Sequence, residues 1–366
     1  MKHVGFKLIN SKMRILLICL LINAGLAGPA FAVNQRQNSN AQRSADNTLT
    51  FAMVGDVMMG TTFPSVQLPA NGGANLFKDA KDVLAGADVT VGNLEGALCE
   101  GGKTTKGGKN TYAFRTPPSY AQWLKEAGFD FMSMANNHSR DFGDEGILQT
   151  ERALQSQGIL YAGVEGRVTS AVMECKGLRI GFCAFGHNPY TVKHLDLNRV
   201  KQILDELKQK SDIIVVSFHG GAEGRDKRHL PYGMEVFFSE NRGSLRELAH
   251  FCIDNGADVV YGHGPHVLRC VEVYKNKFIA YSLGNFCTPY GVSLTGISGY
   301  APLIEIKTDL KGNFLQGQIH PFIQQRGIGP RADKTGAVIG EMKSLTEADI
   351  QMNAIRINSE GQIILK

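Results

Sequence analysis

Short apolar runs at 49–54, 89–91, 131–134, 213–218 and 259–261 each lead into a polar patch. The runs are rich in β-branched and aromatic residues and bounded mostly by Gly, which predicts buried strands. Stretches at helical spacing lie between or beyond them: 76–84, 120–127, 147–154, 200–207 and 245–253. Most of these stop at a glycine, namely Gly86, Gly128, Gly158 or Gly256. Strand alternating with helix predicts an α/β fold with substantial parallel pairing. In such sheets ligands bind beyond the carboxyl ends of the strands. The patches stand at that end: Gly55-Asp56, Gly92-Asn93-Leu94-Glu95-Gly96, Asn136-Asn137-His138, His219-Gly220-Gly221 and Gly262-His263-Gly264-Pro265-His266.

The character of the chain changes after His266. Runs 271–274 and 278–281, separated by Lys275-Asn276-Lys277, predict a hairpin that delivers Gly284-Asn285. Further strands are expected at 302–306, 314–322, 354–357 and 362–365. Ser344-Leu345-Thr346-Glu347 has the form of a capping box for a short helix between them. The charged stretch 225–228 suits a solvated loop, with a place at the cleft border as the alternative.

With 366 residues and 43% hydrophobic positions, the chain can bury one large core. The N-terminus stands outside that core. Lys2, Lys7, Lys12 and Arg14 precede an apolar stretch from 15 to about 27, and Ala30-Phe31-Ala32 follows in the form of a signal-peptidase site. Residues 1–32 are therefore expected to be a signal peptide, with a retained N-terminal membrane anchor as the alternative. Residues 33–47 suit a flexible linker, 48–335 the main domain, and 336–366 a C-terminal helix and strands packing on that domain. Removing the leader's four cations takes the formal charge from +5 to +1. That leaves no case for nucleic-acid binding. Six cysteines remain, and an exported protein is free to form disulfides. Cys183 and Cys252 fall in apolar runs that suit buried free thiols, so bridges and free thiols are both open.

The patches offer a particular set of donors. Asp56 and Glu95 bring anionic oxygens, Asn137 a neutral carbonyl oxygen, and His219, His263 and His266 imidazole nitrogens. Mixed N/O ligation without Cys suits Mn, Fe or Zn and argues against a structural zinc site. About six ligands suffice for two divalent metal ions sharing a carboxylate, and such a pair activates water for hydrolysis. Alone, Gly-Asp or Asn-Asn-His is more often a turn or a cap. Their common position behind strands makes a shared site the better reading. The stretch 97–104 satisfies a relaxed phosphate-loop pattern, but turn formers follow it where a helix is required.

These residues resemble a known family. Gly55-Asp56-Val57-Met58-Met59-Gly60, Gly92-Asn93-Leu94-Glu95-Gly96, Ala135-Asn136-Asn137-His138 with Asp141 and Gly143, His219-Gly220-Gly221-Ala222-Glu223, Gly262-His263-Gly264-Pro265-His266 and Tyr281-Ser282-Leu283-Gly284-Asn285-Phe286 are similar to the ordered signature of CapA proteins. That family is associated with capsule and poly-γ-glutamate synthesis and belongs to the calcineurin-like metallophosphatase superfamily. The resemblance implies a four-layer α/β/β/α metallophosphatase-like sandwich. It implies Asp56 as a ligand of the first metal, Glu95 as the bridging acid and Asn137 on the second metal, with His219, His263 and His266 completing the shells. His138 would be the general acid or the group that steadies the leaving oxygen, oriented by Asp141. Arg115, Asn93, Glu223 and Asn285 would meet substrate, with a metal as the alternative partner of Glu223. Two departures stand out. Met58 occupies the position of a His in the wider superfamily, which leaves occupancy of the first site open, and Gly220 replaces a common Trp.

The expected protein is an exported metal-dependent hydrolase of the CapA type. Its expected partners are an anionic polymer or a phosphorylated or amide-linked envelope precursor, together with membrane-bound polymer synthesis machinery. The alternatives are a non-catalytic polymer-binding or assembly component and a general periplasmic phosphoesterase or nucleotidase.

Overall fold

The computed structural model describes residues 47–104, 106–107 and 112–366; the leader and most of the linker lie outside them. Two sheets carry the fold. The first has nine strands. Thr48–Val57, Val89–Leu94, Phe131–Ser133 and Leu160–Ala162 run parallel in chain order. On the other side of Thr48–Val57, Leu303–Asp309, Phe314–His320, Gln362–Leu365 and Ile355–Ile357 follow in antiparallel succession. Asn285–Cys287 pairs in parallel with the carboxyl end of Thr48–Val57.

The second sheet has six strands, in the order Val271–Tyr274, Lys277–Ala280, Val259–His263, Ile213–His219, Leu178–Phe185, Ser170–Cys175. Its four central strands are parallel. The two sheets pack face to face. Phe131 of the first stacks on Phe182 of the second at 4.8 Å between ring centres, and Tyr261 Oη lies 3.4 Å from the Gly92 carbonyl. Strands covered on both faces need continuous apolar runs, which is why Phe51–Val54 and Ile213–Val216 are buried throughout.

Helices cover the outer faces and complete four α/β/β/α layers. Lys81–Gly86, Ala121–Ala127 and Gly143–Ser156 accompany the first sheet; Leu197–Lys208 and Leu245–Asp254 accompany the second. Asp196 caps Leu197–Lys208 by accepting from Arg199 N, which satisfies one of the helix's unpaired amides. Gly128 ends Ala121–Ala127 in the left-handed conformation.

Two expectations change. Helix expected over 76–84 begins only at Lys81, because 74–80 is a series of tight turns bonded as Leu76 N to Gly73 O and Ala80 N to Phe77 O. The sequence Ser344-Leu345-Thr346-Glu347 is not a helix start. It lies inside Ala337–Asp349, whose buried Val338, Ile339, Met342 and Leu345 recur at helical spacing from an earlier origin. The six cysteines among the described residues, Cys99, Cys175, Cys183, Cys252, Cys270 and Cys287, are buried free thiols. No helix among the described residues is long and apolar enough to cross a membrane.

Candidate active site

Register brings the patches together. Asp56 is level with Asn93 on one neighbouring strand and with Asn285 on the other. His219 and His263 are partners across adjacent strands of the second sheet. The close pairing at Asp56 requires glycine. A Cβ on Gly55 would stand 2.1 Å from the Gly284 carbonyl, and the same backbone approach lets Asp56 N donate to Gly284 O at 2.8 Å.

Asp56 links the two sheets. It is fully buried, with Oδ1 3.1 Å from His263 Nδ1 and Oδ2 2.9 Å from His266 Nδ1. Burial alone would raise its pKa, but the neighbouring His263 and His266 outweigh burial and hold the carboxyl below its ordinary range. Burial likewise opposes the charged form of His266. The hydrogen bond and charge of Asp56 overcome it and push the imidazole up to about 10. His266 has φ 57°, in the left-handed region, strain of the kind kept at functional positions.

Glu95 forms the second focus. Its Oε1 lies 3.5 Å from His219 Nε2 and 3.9 Å from His138 Nε2. Burial raises its pKa, yet the charge of His219 prevails and the carboxyl falls to about 2. His138 is buried and faces Asp141, with Nδ1 2.9 Å from Oδ2. Asp141 Oδ2 also accepts from Phe114 N at 2.7 Å, and Lys106 Nζ lies 2.7 Å from Oδ1.

The two asparagines of Asn136-Asn137-His138 divide the work. Asn136 donates to Asn93 Oδ1 and to the Leu94 carbonyl at 2.9 and 2.8 Å, and accepts from His138 N at 3.0 Å. Asn137 keeps its carbonyl oxygen free: Oδ1 is buried without a hydrogen-bond partner. The same holds for Glu95 Oε1, for both ring nitrogens of His219 and for Nε2 of His263, whose Nδ1 faces Asp56. Buried polar atoms are rarely left unpaired, so a cluster of unpaired oxygen and nitrogen donors fits a divalent cation. Bonds of about 2.1 Å put adjacent ligand atoms about 3 Å apart, close to the Asp56 spacings. Among the described residues no three His, Cys, Asp or Glu side chains stand as a ready metal cluster. The cation reading therefore rests on donor chemistry and unpaired atoms.

A cleft of about 490 Å³ opens here, bordered by Asn137, His138, Glu223, Arg242, His266 and Asn285 among others. Asn285 Oδ1 is 3.0 Å from His266 Nδ1. Glu223 Oε1 accepts from Arg242 Nη1 at 2.9 Å. Two expected substrate contacts do not reach the cleft. Asn93 is fully buried, and its Nδ2 donates to Asp56 Oδ1 at 2.9 Å and to Glu95 Oε2 at 2.6 Å, which makes it a brace between the carboxylates. Arg115 donates instead to Gly101 O at 2.6 Å and Thr62 Oγ1 at 2.9 Å, with its guanidinium over the Phe142 ring.

One residue at the site escapes the sequence reading. His187 follows Leu178–Phe185 and Gly186, the same arrangement of strand, glycine and donor as the other patches. Its Nδ1 lies 3.4 Å from the His219 carbonyl, and its Nε2 is buried without a hydrogen bond. Burial and the nearby His219 depress its pKa to about 2.

Stacked sheets flanked by helices, with Asp, Asn and His donors gathered at the strands' carboxyl ends, define an α/β sandwich with its candidate site where such sheets bind ligands. The family described as bacterial capsule synthesis protein PGA_cap matches residues 50–290, and this chain belongs to that family. It is 30% identical over 268 residues to the capsule biosynthesis protein CapA of Bacillus anthracis, covering 68% of this chain and 61% of that one. It is 29% identical over 267 residues to the PGA biosynthesis protein CapA of Bacillus subtilis (strain 168), covering 69% of this chain and 66% of the relative. The matched region thus spans less than two thirds of either relative's length. Among solved structures, a novel phosphatase from Mycoplasma pneumoniae has 14% identity and a TM-score of 0.49, over 78% of this chain and 95% of that one.

Proposed function

We propose that the chain is an exported metal-dependent hydrolase of the CapA type, acting on an anionic envelope polymer or on its phosphorylated or amide-linked precursor beside membrane-bound synthesis machinery. The observation that carries this reading is the gathering of unpaired buried donors of Glu95, Asn137, His219 and His263 next to the His138–Asp141 pair. Asp56 would serve one cation and Asn137 a second, with Glu95 between them and His219, His263 and His266 completing the shells. Bound there, divalent cations of the Mn, Fe or Zn kind would polarise the scissile group and supply an activated water.

The rest is done by the protein's own groups. Asp141 holds His138 Nδ1, so that Nε2 is turned towards Glu95 and the cleft. From there His138 can give a proton to the leaving oxygen. Arg242, fixed by Glu223 and Glu240, places a cation at the cleft wall that suits an anionic substrate. The test is metal analysis of the purified protein, with turnover measured on a phosphodiester, a nucleotide and poly-γ-glutamate. Expected are near-stoichiometric metal and turnover that disappears in His138→Ala while metal stays bound.

A second reading, a non-catalytic polymer-binding component, is favoured by Met58. Its thioether is buried at the position where the wider superfamily has a histidine. A metal-free native protein that binds polymer without turnover supports that reading. Hydrolysis confined to nucleotides supports a general phosphoesterase.

A further inference from the structure

The hairpin of Glu235–Phe237 and Glu240–Gly243, at the cleft border, is built inside out. Tyr232, Met234, Val236 and Phe238 alternate along it and are 78%, 54%, 61% and 85% exposed. Glu235, between them, is buried and receives both arms of the Arg269 guanidinium at 2.7 Å. Half-buried strands ordinarily turn their apolar side inwards; here Phe237 is half-buried against Arg242, while Tyr232, Met234, Val236 and Phe238 face solvent. The tip adds strain, with φ of 46° at Phe238 and 65° at Ser239, a region that bulky residues avoid. Phe238 borders the cleft together with Tyr112, another exposed aromatic. Arg269 Nε also binds the Lys227 carbonyl at 2.9 Å, which ties the loop of the exposed Arg225, Asp226 and Lys227 to the same guanidinium as the hairpin; Lys227 Nζ lies 3.0 Å from Asp226, and Arg225 adds a further cation.

We propose that this edge, from Arg225 to Phe238, is a docking surface that sets the cleft mouth against an anionic lipid bilayer. The apolar side chains enter the interfacial zone, and Arg225 and Lys227 meet lipid phosphates. This pairing of aromatic or aliphatic groups with adjacent cations is what interfacial binding uses. A stable protein interface takes roughly 800 Å² on each partner, more than four side chains in a line supply. The inference holds whatever reaction the cleft performs.

The test uses the full chain with its single tryptophan, Trp123, replaced by Phe and a probe introduced as Phe238→Trp. The new indole reports on the hairpin tip alone, so any binding through the N-terminal apolar stretch does not contribute to it. With vesicles of phosphatidylcholine and phosphatidylglycerol its emission should shift to the blue and be quenched by lipids brominated in their acyl chains. Pure phosphatidylcholine should give a weaker response. Arg225→Gln and Lys227→Gln should each raise the lipid needed for half the response roughly fivefold. An indole that stays in water while anionic vesicles are present overturns the proposal. A blue shift that appears without lipid and grows with protein concentration also overturns it, and assigns the stripe to a second copy of the chain.

Discussion

Asn136 donates through Nδ2 to Asn93 Oδ1 at 2.9 Å, and Asn93 in turn holds the carboxylates of Asp56 and Glu95. A chain of amides therefore fixes two acidic groups that would otherwise repel each other in a buried space. Asn136→Ala leaves the Asn93 oxygen buried and unpaired, at a cost of about 1–3 kcal/mol. It also frees the carboxylates to turn. Thermal melts should show the loss of stability, and titration with Mn or Zn should show affinity lower by roughly 10–100-fold, as for other groups that orient metal ligands. Unchanged metal affinity would remove Asn93 and Asn136 from the site.

His187 gives a second prediction. It supports the His219 carbonyl and packs its ring 5.8 Å from that of His219. His187→Ala should weaken metal binding by roughly 10–100-fold, while His187→Asn, which can keep a donor near the Nδ1 position, should recover much of the loss. Equal affinities in the two variants would assign His187 to packing alone.

Much of this arrangement was legible in the sequence, since the register of parallel strands follows from where apolar runs end. Asp56, His219 and His263 each stand at the carboxyl end of a run buried on both faces, and folding leaves them little choice of place. Side-chain direction is less readable. Asn93 and Arg115 occur in the expected segments, yet one turns inwards to two carboxylates and the other reaches a loop carbonyl. Those choices depend on partners far away in sequence. The hairpin at 235–243 lacks an apolar inward pattern because its buried side chains, Glu235 and Arg242, are held in ion pairs, so periodicity gives no warning of it. His187 obeyed the same rule as its neighbours and was within reach of it.

The Arg269–Glu235 pair is fully enclosed on the Arg269 side and anchors both the hairpin and the 225–228 loop. Arg269→Met removes the partner of a buried carboxylate, and breaking such a pair costs roughly 3–5 kcal/mol. The double variant Arg269→Met, Glu235→Gln should regain a large part of that in chemical denaturation, because no uncompensated charge remains. A double variant as unstable as the single one would place the cost in lost packing instead.

Glu272 sets an acid limit on stability at a distance from the cleft. Burial opposes its charged form, but hydrogen bonds from His250 and Tyr281, at 3.0 and 2.6 Å, outweigh burial and lower its pKa below the ordinary 4.5. Once the chain unfolds, the carboxyl returns to the ordinary value and binds a proton more readily than in the native protein. The native state therefore draws stability from Glu272 above pH 4.5 and loses it as pH falls through the lowered value. Glu272→Gln should be less stable than the parent at neutral pH and should converge with it in acid, as read from urea midpoints across the pH range. A constant gap between the two proteins at every pH would mean that the carboxylate's charge contributes nothing there.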